Sequence, residues 1–168
     1  MSTLTLHLVT VRDAAEIIAF EQENRAFFAQ SVPDRGDEYF VPANMVRFLV
    51  DVEAEQARGE CYLYLVRDAS GGLVGRVNLV DVEQGSASIG YRIGAHHGGK
   101  GYASEAVRLA LAEATAKGIV RVTAMTTGEN VGSQIVLLRN GFQFRERRAK
   151  HLDVNGALHD AVLFEKRM

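Results

Sequence analysis

Residues 90–114, GYRIGAHHGGKGYASEAVRLALAEA, dictate much of what this chain can become. Five glycines, Gly90, Gly94, Gly98, Gly99 and Gly101, separate a strand end at 89–93 from an amphipathic helix. Ser104 and Glu105 open that helix. Val107, Ala110, Leu111 and Ala114 recur at helical spacing and give it one apolar face. Lys117 and Gly118 close it, with a cation in the last turn and a glycine suited to a left-handed cap. Ile119 to Met125 then alternates as a strand. Strand, crossover helix and strand imply parallel pairing with a right-handed crossover.

A glycine-rich loop before a helix has a chemical use. The first backbone N–H groups of a helix have no partner inside it and the helix dipole makes their surroundings positive. Glycines let a phosphate approach because no Cβ stands in the way. The stretch is a candidate pyrophosphate cradle, or a flexible loop before an ordinary helix, and composition alone does not choose. Two familiar phosphate loops are excluded. Gly101 is followed by Tyr102, so there is no G-x-x-x-x-G-K-[ST], and the glycine spacing does not fit G-x-G-x-x-G.

A second block lies downstream: Asn130-V-G-Ser133, then Gly141-Phe142. The two blocks together resemble the GNAT acyltransferase superfamily. Its loop pattern is [QR]-x-x-G-x-[GA], and Gly98, Gly101 and Ala103 stand at the three marked positions, with Gly98 where Gln or Arg is usual. Within that superfamily the chain is most similar to the ribosomal-protein N-terminal acetyltransferases. The resemblance spans nearly the whole chain and is weakest before residue 60. It implies an α/β (α+β) fold with a mixed, mostly antiparallel sheet. Strands four and five are parallel and splayed, and helices cover both faces. It also implies acetyl-CoA as co-substrate, with the pantetheine arm between the splayed strands. The residues it assigns to acetyl-CoA are Arg92, Ile93, Gly98, Gly99, Lys100, Gly101, Tyr102, Ala103, Ser104, Asn130, Ser133 and Arg139.

Acetyl transfer to an amine needs a neutral amine, a donor for the oxyanion and a proton for the leaving thiolate. By resemblance, Asn130 hydrogen-bonds the pantetheine arm and Ser133 protonates the sulfur. Asn130 also suits a turn, and Ser133 a helix cap. No base stands out. Many family members carry Glu where this chain has Ser88. In the ribosomal enzymes an acid on the strand before the Asn155–Gly156 turn can serve. The nearest match here is Leu152, flanked by His151 and Asp153, which should face the other way. Asp81, Glu83, Glu23 and Asp160 remain, each also readable as a surface acid, and ordered water could replace a base. His96 and His97 sit in the loop as ordinary exposed histidines.

The remaining elements follow from spacing. Leu4, Leu6 and Leu8 mark a first strand, and Thr10 and Asp13 form a capping box for a helix over 14–24. An irregular stretch, 25–42, carries Phe27, Phe28, Tyr39 and Phe40, fit either for a cleft wall or for a lid on the core. Met45, Leu49, Val52 and Gln56 stripe a second helix. Strands are expected over 61–67, 73–82 and 86–93, a short helix over 131–140, and a hairpin with arms 142–154 and 158–166 around a type I′ Asn-Gly turn. Arg145, Arg147, Arg148 and Lys150 read as a solvated edge that discourages pairing, or as a dock for an acidic protein.

At 168 residues the chain is read as a single domain, large enough to bury about two-thirds of its unfolded surface. A net charge of −2 argues against a general nucleic-acid or membrane surface. No run approaches the roughly 18 apolar residues of a membrane span, and the N-terminus lacks a signal-peptide pattern. The lone Cys61 precludes an internal disulfide and reads as a buried strand thiol, which suits the cytoplasm. Zinc is not expected from one Cys and five scattered His. A monomer or homodimer is expected. The expected activity is acetylation of a primary amine, by resemblance a protein N-terminus. A small amine such as a polyamine, amino acid or aminoglycoside is the alternative acceptor. A non-catalytic acyl-CoA sensor also stays open.

Overall fold

The computed structural model describes residues 3–168. Thr10 opens the first helical turn through a reciprocal box. Its N–H donates to Asp13 Oδ2 at 2.8 Å, and the Asp13 N–H bonds back toward Thr10. Helix α1 spans Ala14–Glu23, and the stretch expected to be irregular holds one short helix, α2, Arg25–Phe28. Helix α3, Pro42–Ala57, has proline in its first turn, where the missing N–H costs nothing. Met45, Leu49 and Val52 bury its stripe. Gln56 ends the stripe by bridging strands, donating to the Val9 carbonyl and accepting from the Leu63 N–H.

Seven strands form one sheet: β1 Thr5–Leu8, β2 Tyr62–Arg67, β3 Leu73–Glu83, β4 Ser86–Ile93, β5 Arg121–Thr127, β6 Gln143–Val154 and β7 Ala157–Arg167. Their spatial order is β1-β2-β3-β4-β5-β7-β6. Every pairing is antiparallel except β4 with β5. Helix α4, Tyr102–Ala116, makes the crossover between them, and Gly118 caps it at φ 78°. Helix α5, Val131–Arg139, follows β5.

Alternation along the strands divides the interior into two cores. One packs α4 against Tyr64, Val66, Val77, Leu79, Ala87 and Ile89. The other packs α1 and α3 against Leu63 and Leu65. Helices therefore cover both faces. Cys61 is buried at the edge of the second core as a free thiol. Strand β6 is the outer edge, and Arg145, Arg147 and Arg148 lie exposed along it, paired with Glu165, Asp160 and Glu146.

The β4–β5 pairing is short. Ser86, Ala87 and Ser88 lie opposite Arg121, Val122 and Thr123, and the register ends there. Both strands run on, to Ile93 and Thr127, so the sheet opens into a slot. The Ser88 and Thr123 hydroxyls, 3.1 Å apart, mark the last contact before the split. At Gly90 a Cβ would meet nothing within 4 Å, which places the backbone there at the open edge.

Candidate active site

The cradle is built from backbone. Gly99 and Gly101 both adopt φ 75°, a region L side chains rarely enter, and a Cβ at either would meet nothing within 4 Å. Gly101 caps α4, so the N–H groups of Tyr102, Ala103 and Ser104 open onto the concave side of the loop. The loop is pinned from behind. Asn24, buried at the end of α1, accepts from the Ala95 N–H at 2.9 Å and donates to the Phe20 carbonyl at 2.9 Å. From the other side, Asn140 donates to the Ser104 carbonyl at 3.1 Å and to its hydroxyl at 3.2 Å. Lys100 lies exposed, its ammonium 5.6 Å from the Tyr102 ring centre. Arg139 is exposed beside Asn140. His97 is half-buried and stacks on Tyr102, whereas His96 is exposed. Open glycines, unspent amides and nearby cations fit a pyrophosphate.

The slot holds a cavity of about 330 Å³ that reaches from α5 to the loop before α3. Asn130 and Ser133 meet there. Asn130 is the N-cap of α5, its Oδ1 accepting from the Ser133 N–H at 3.1 Å. The capping role belongs to Asn130, so the Ser133 hydroxyl is free for another partner. That partner is Tyr91 of β4, whose phenol oxygen lies 2.7 Å from Ser133 Oγ and 3.2 Å from its carbonyl. Burial pushes the Tyr91 phenol above its ordinary range, and the Ser133 bond opposes that shift. The phenol therefore keeps its proton at neutral pH and can donate it.

Across the sheet the slot is walled by charge. Glu21 of α1 is 2% exposed. It pairs with Arg76 of β3 at 2.7 Å and with Arg92 of β4 at 3.2 Å. Arg76 also donates to the Tyr39 hydroxyl at 2.9 Å. Burial pushes the Arg92 guanidinium below its ordinary range, Glu21 opposes that, and Arg35 and Arg76 add to it.

The sequence-predicted residues fall into two groups. Gly98 to Ser104 form the cradle, and Ile93 ends the strand leading to it, packed against the α4 core. Arg92 stands apart from the other residues expected at the cofactor. Side chains alternate along β4, and Tyr91 and Ile93 take the α4 side, so Arg92 turns to the opposite face. There it binds Glu21 and lies over the Phe28 ring. Among the candidate bases, Glu23 is exposed near His96, and Asp160 is held by Arg147 and the Lys150 N–H. Asp81 and Glu83 line an outer groove. Asp153 lies exposed at the rim of the slot beside Leu152, in a regularly paired stretch that follows a register shift between Arg148 and Leu152, where Lys150 takes φ 45°. Spacing gave no sign of Tyr91, Glu21, Arg76 or Asn24, since each gains its role from a partner distant in the chain.

An acetyltransferase (GNAT) domain model matches residues 3–143. The probable N-acetyltransferase YjcK of Bacillus subtilis is 31% identical over 163 residues, covering 94% of this chain and 90% of that protein. The chain belongs to the GNAT acetyltransferases. Its fold is shared with the ribosomal-protein-S5-alanine acetyltransferase of Vibrio fischeri (TM-score 0.93, 23% identity, 99% of this chain and 94% of that one). A ribosomal L7/L12 α-N-protein acetyltransferase in complex with coenzyme A is also similar (TM-score 0.90, 20% identity, 100% and 96%). The GNAT chain is thus an acetyl-CoA-dependent N-acyltransferase. No helix among the described residues is long and apolar enough to cross a membrane.

Proposed function

We propose that this acetyltransferase modifies the α-amine of a protein or peptide N-terminus. The observation that carries the reading is the size and placement of the acceptor side. Beyond the slot lies an open groove of about 730 Å³ along α3 and β3, and Arg35, Arg76 and Asn78 line both spaces. A bare amine needs only the slot, whereas a polypeptide needs somewhere for the chain after its first residue. The groove meets that need.

Chemistry at the slot is then simple. The neutral amine attacks the thioester carbonyl, an amide forms, and the carbon–sulfur bond breaks. The Tyr91 phenol, within reach of both the Ser133 hydroxyl and its carbonyl, can donate to Ser133 Oγ and leave the Ser133 hydrogen to meet the departing sulfur. Asn130 holds the Ser133 backbone through its cap and offers its amide N–H to the pantetheine arm. The cradle amides of Gly99 to Ser104 bind the pyrophosphate, and Lys100 and Arg139 balance its charge. Asp153 and ordered water remain the routes by which the amine loses its proton.

Release of CoA thiol tests the reading. Short peptides with free N-termini should be turned over, and the same peptides with blocked N-termini should not. Turnover of spermidine with no turnover of any peptide would replace this acceptor with a small amine.

A further inference from the structure

Three guanidiniums converge where the slot opens into the outer groove, and much of their hydrogen-bonding capacity is unspent. Arg76 is 3% exposed; one of its nitrogens serves Glu21 and Tyr39, while its Nε has no partner. Arg92 commits one nitrogen to Glu21 at 3.2 Å. Arg35 is exposed at the mouth, 5.3 Å from the Tyr39 ring centre, and makes no ion pair among the described residues. Against these stands one buried carboxylate, Glu21. Asp153 is exposed at the rim of the slot, accepts from the Gly156 N–H through Oδ1 and keeps its negative charge. Four acids line the outer groove: Glu60 is held by Arg58, Glu55 accepts from Cys61, and Asp81 and Glu83 lie toward the far end of β3 from Arg76. At the neck three guanidiniums face two carboxylates, Glu21 and Asp153, so a net positive charge remains there, centred on Arg35.

A carboxylate is the group that such a neck takes up. Guanidinium forks match its two oxygens, and the partly desolvated setting strengthens the pairing. We propose that the enzyme selects acceptors with a carboxylate close to the reacting amine. The amine points toward Tyr91 and Ser133, the carboxylate seats on Arg35 and Arg92, and Arg76 behind them supplies the excess buried charge. In a polypeptide this means an acidic side chain at the second residue. A neutral isostere leaves the guanidiniums unpaired, and a cationic residue is repelled, so discrimination comes from both attraction and penalty. The inference rests on the reading of the acceptor as an α-amine.

The test compares peptides of identical length whose second residue is glutamate, glutamine or lysine, read as kcat/KM from thiol release. Glutamate should exceed glutamine by about tenfold, the ratio expected of one well-placed charged pair. Lysine should be poorest, and added salt should narrow the gap. Arg35→Gln should bring the glutamate-to-glutamine ratio close to one, and Arg35→Lys should retain part of it. Equal rates for glutamate and glutamine peptides, or a preference for lysine, would overturn the proposal. A parallel arm uses isoglutamine and glutaminamide, which differ only in the side-chain carboxylate. A preference for isoglutamine with no peptide turnover keeps the carboxylate seat and removes the polypeptide acceptor. Spermidine as the best acceptor, or no turnover of any acceptor, overturns both.

Discussion

Ser133 and Asn130 sit three residues apart and do different work, which makes them separable by substitution. Ser133→Ala removes the hydroxyl 2.7 Å from Tyr91 while leaving the cap on Asn130 in place. It should lower kcat on the order of 10²-fold, the lower range for a lost general acid, with acetyl-CoA affinity nearly unchanged. A fall in affinity with kcat intact, measured by calorimetry beside steady-state kinetics, would make Ser133 a binding residue. Glu21→Gln tests the other wall. It strips the charge from the carboxylate between Arg76 and Arg92 and leaves one buried and one half-buried guanidinium unneutralised, so stability should fall by about 3 kcal/mol in a denaturant melt. These residues differ in how visible they are in the sequence. Asn130 and Ser133 are legible because their spacing within one short segment is fixed. Glu21 looks like any helical surface acid, since its partners lie 55 and 71 residues away and only the folded sheet brings them together. Tyr91 is adjacent to the legible motif, yet its role depends on α5, which folds against it from beyond β5.

At the scale of elements, the turns were legible and the neighbours were not. Gly71, Gly118 and Gly156 all take positive φ at turns expected from sequence. Two-residue shifts occur where burial and pairing part company. Ile119 is buried but lies in the turn, and Val120 bonds to the Gly85 carbonyl before β5 begins. Thr126 and Thr127 look too polar for a buried strand, but β7 pairs with them on one side and the slot borders them on the other. That β7 inserts between β5 and β6 is a long-range pairing choice with no local signature. Gly75 shows the same limit. It lies inside the strand expected over 73–82, and a Cβ there would lie 2.5 Å from Ile93 Cδ1 and 2.7 Å from the Arg92 carbonyl. Its bareness lets β3 hold the end of β4 against the slot. Gly75→Ala should cost about 1–3 kcal/mol in a thermal or denaturant melt and should also weaken acetyl-CoA binding, because the backbone that must shift belongs to the slot. A stability loss with affinity unchanged would confine Gly75 to the core.

The seven-stranded sheet is continuous but narrowly paired at the middle, where β4 meets β5. Three residue pairs tie β4 to β5, and beyond them the Tyr91–Ser133 contact bridges the slot. The cradle lies at the start of α4, whereas Asn130 and Ser133 lie on α5, so acetyl-CoA reaching from one to the other would clamp elements on both sides. A ligand at a hundred times its Kd stabilises by about 2.7 kcal/mol, which for a domain of this size is a shift of several degrees in Tm. Acetyl-CoA should produce that shift, AMP a far smaller one, and hydrogen exchange should slow in α5 as well as in α4. Ala103→Trp sharpens the test. Ala103 is the second residue of α4, partly exposed, so a bulky side chain there should leave the Tm of the free protein nearly unchanged while abolishing the acetyl-CoA shift. A shift that survives Ala103→Trp would move the pyrophosphate off the loop. Slowed exchange limited to α4 would mean that the ligand occupies the cradle without spanning the slot, and Ser133 would then lie out of reach of the chemistry.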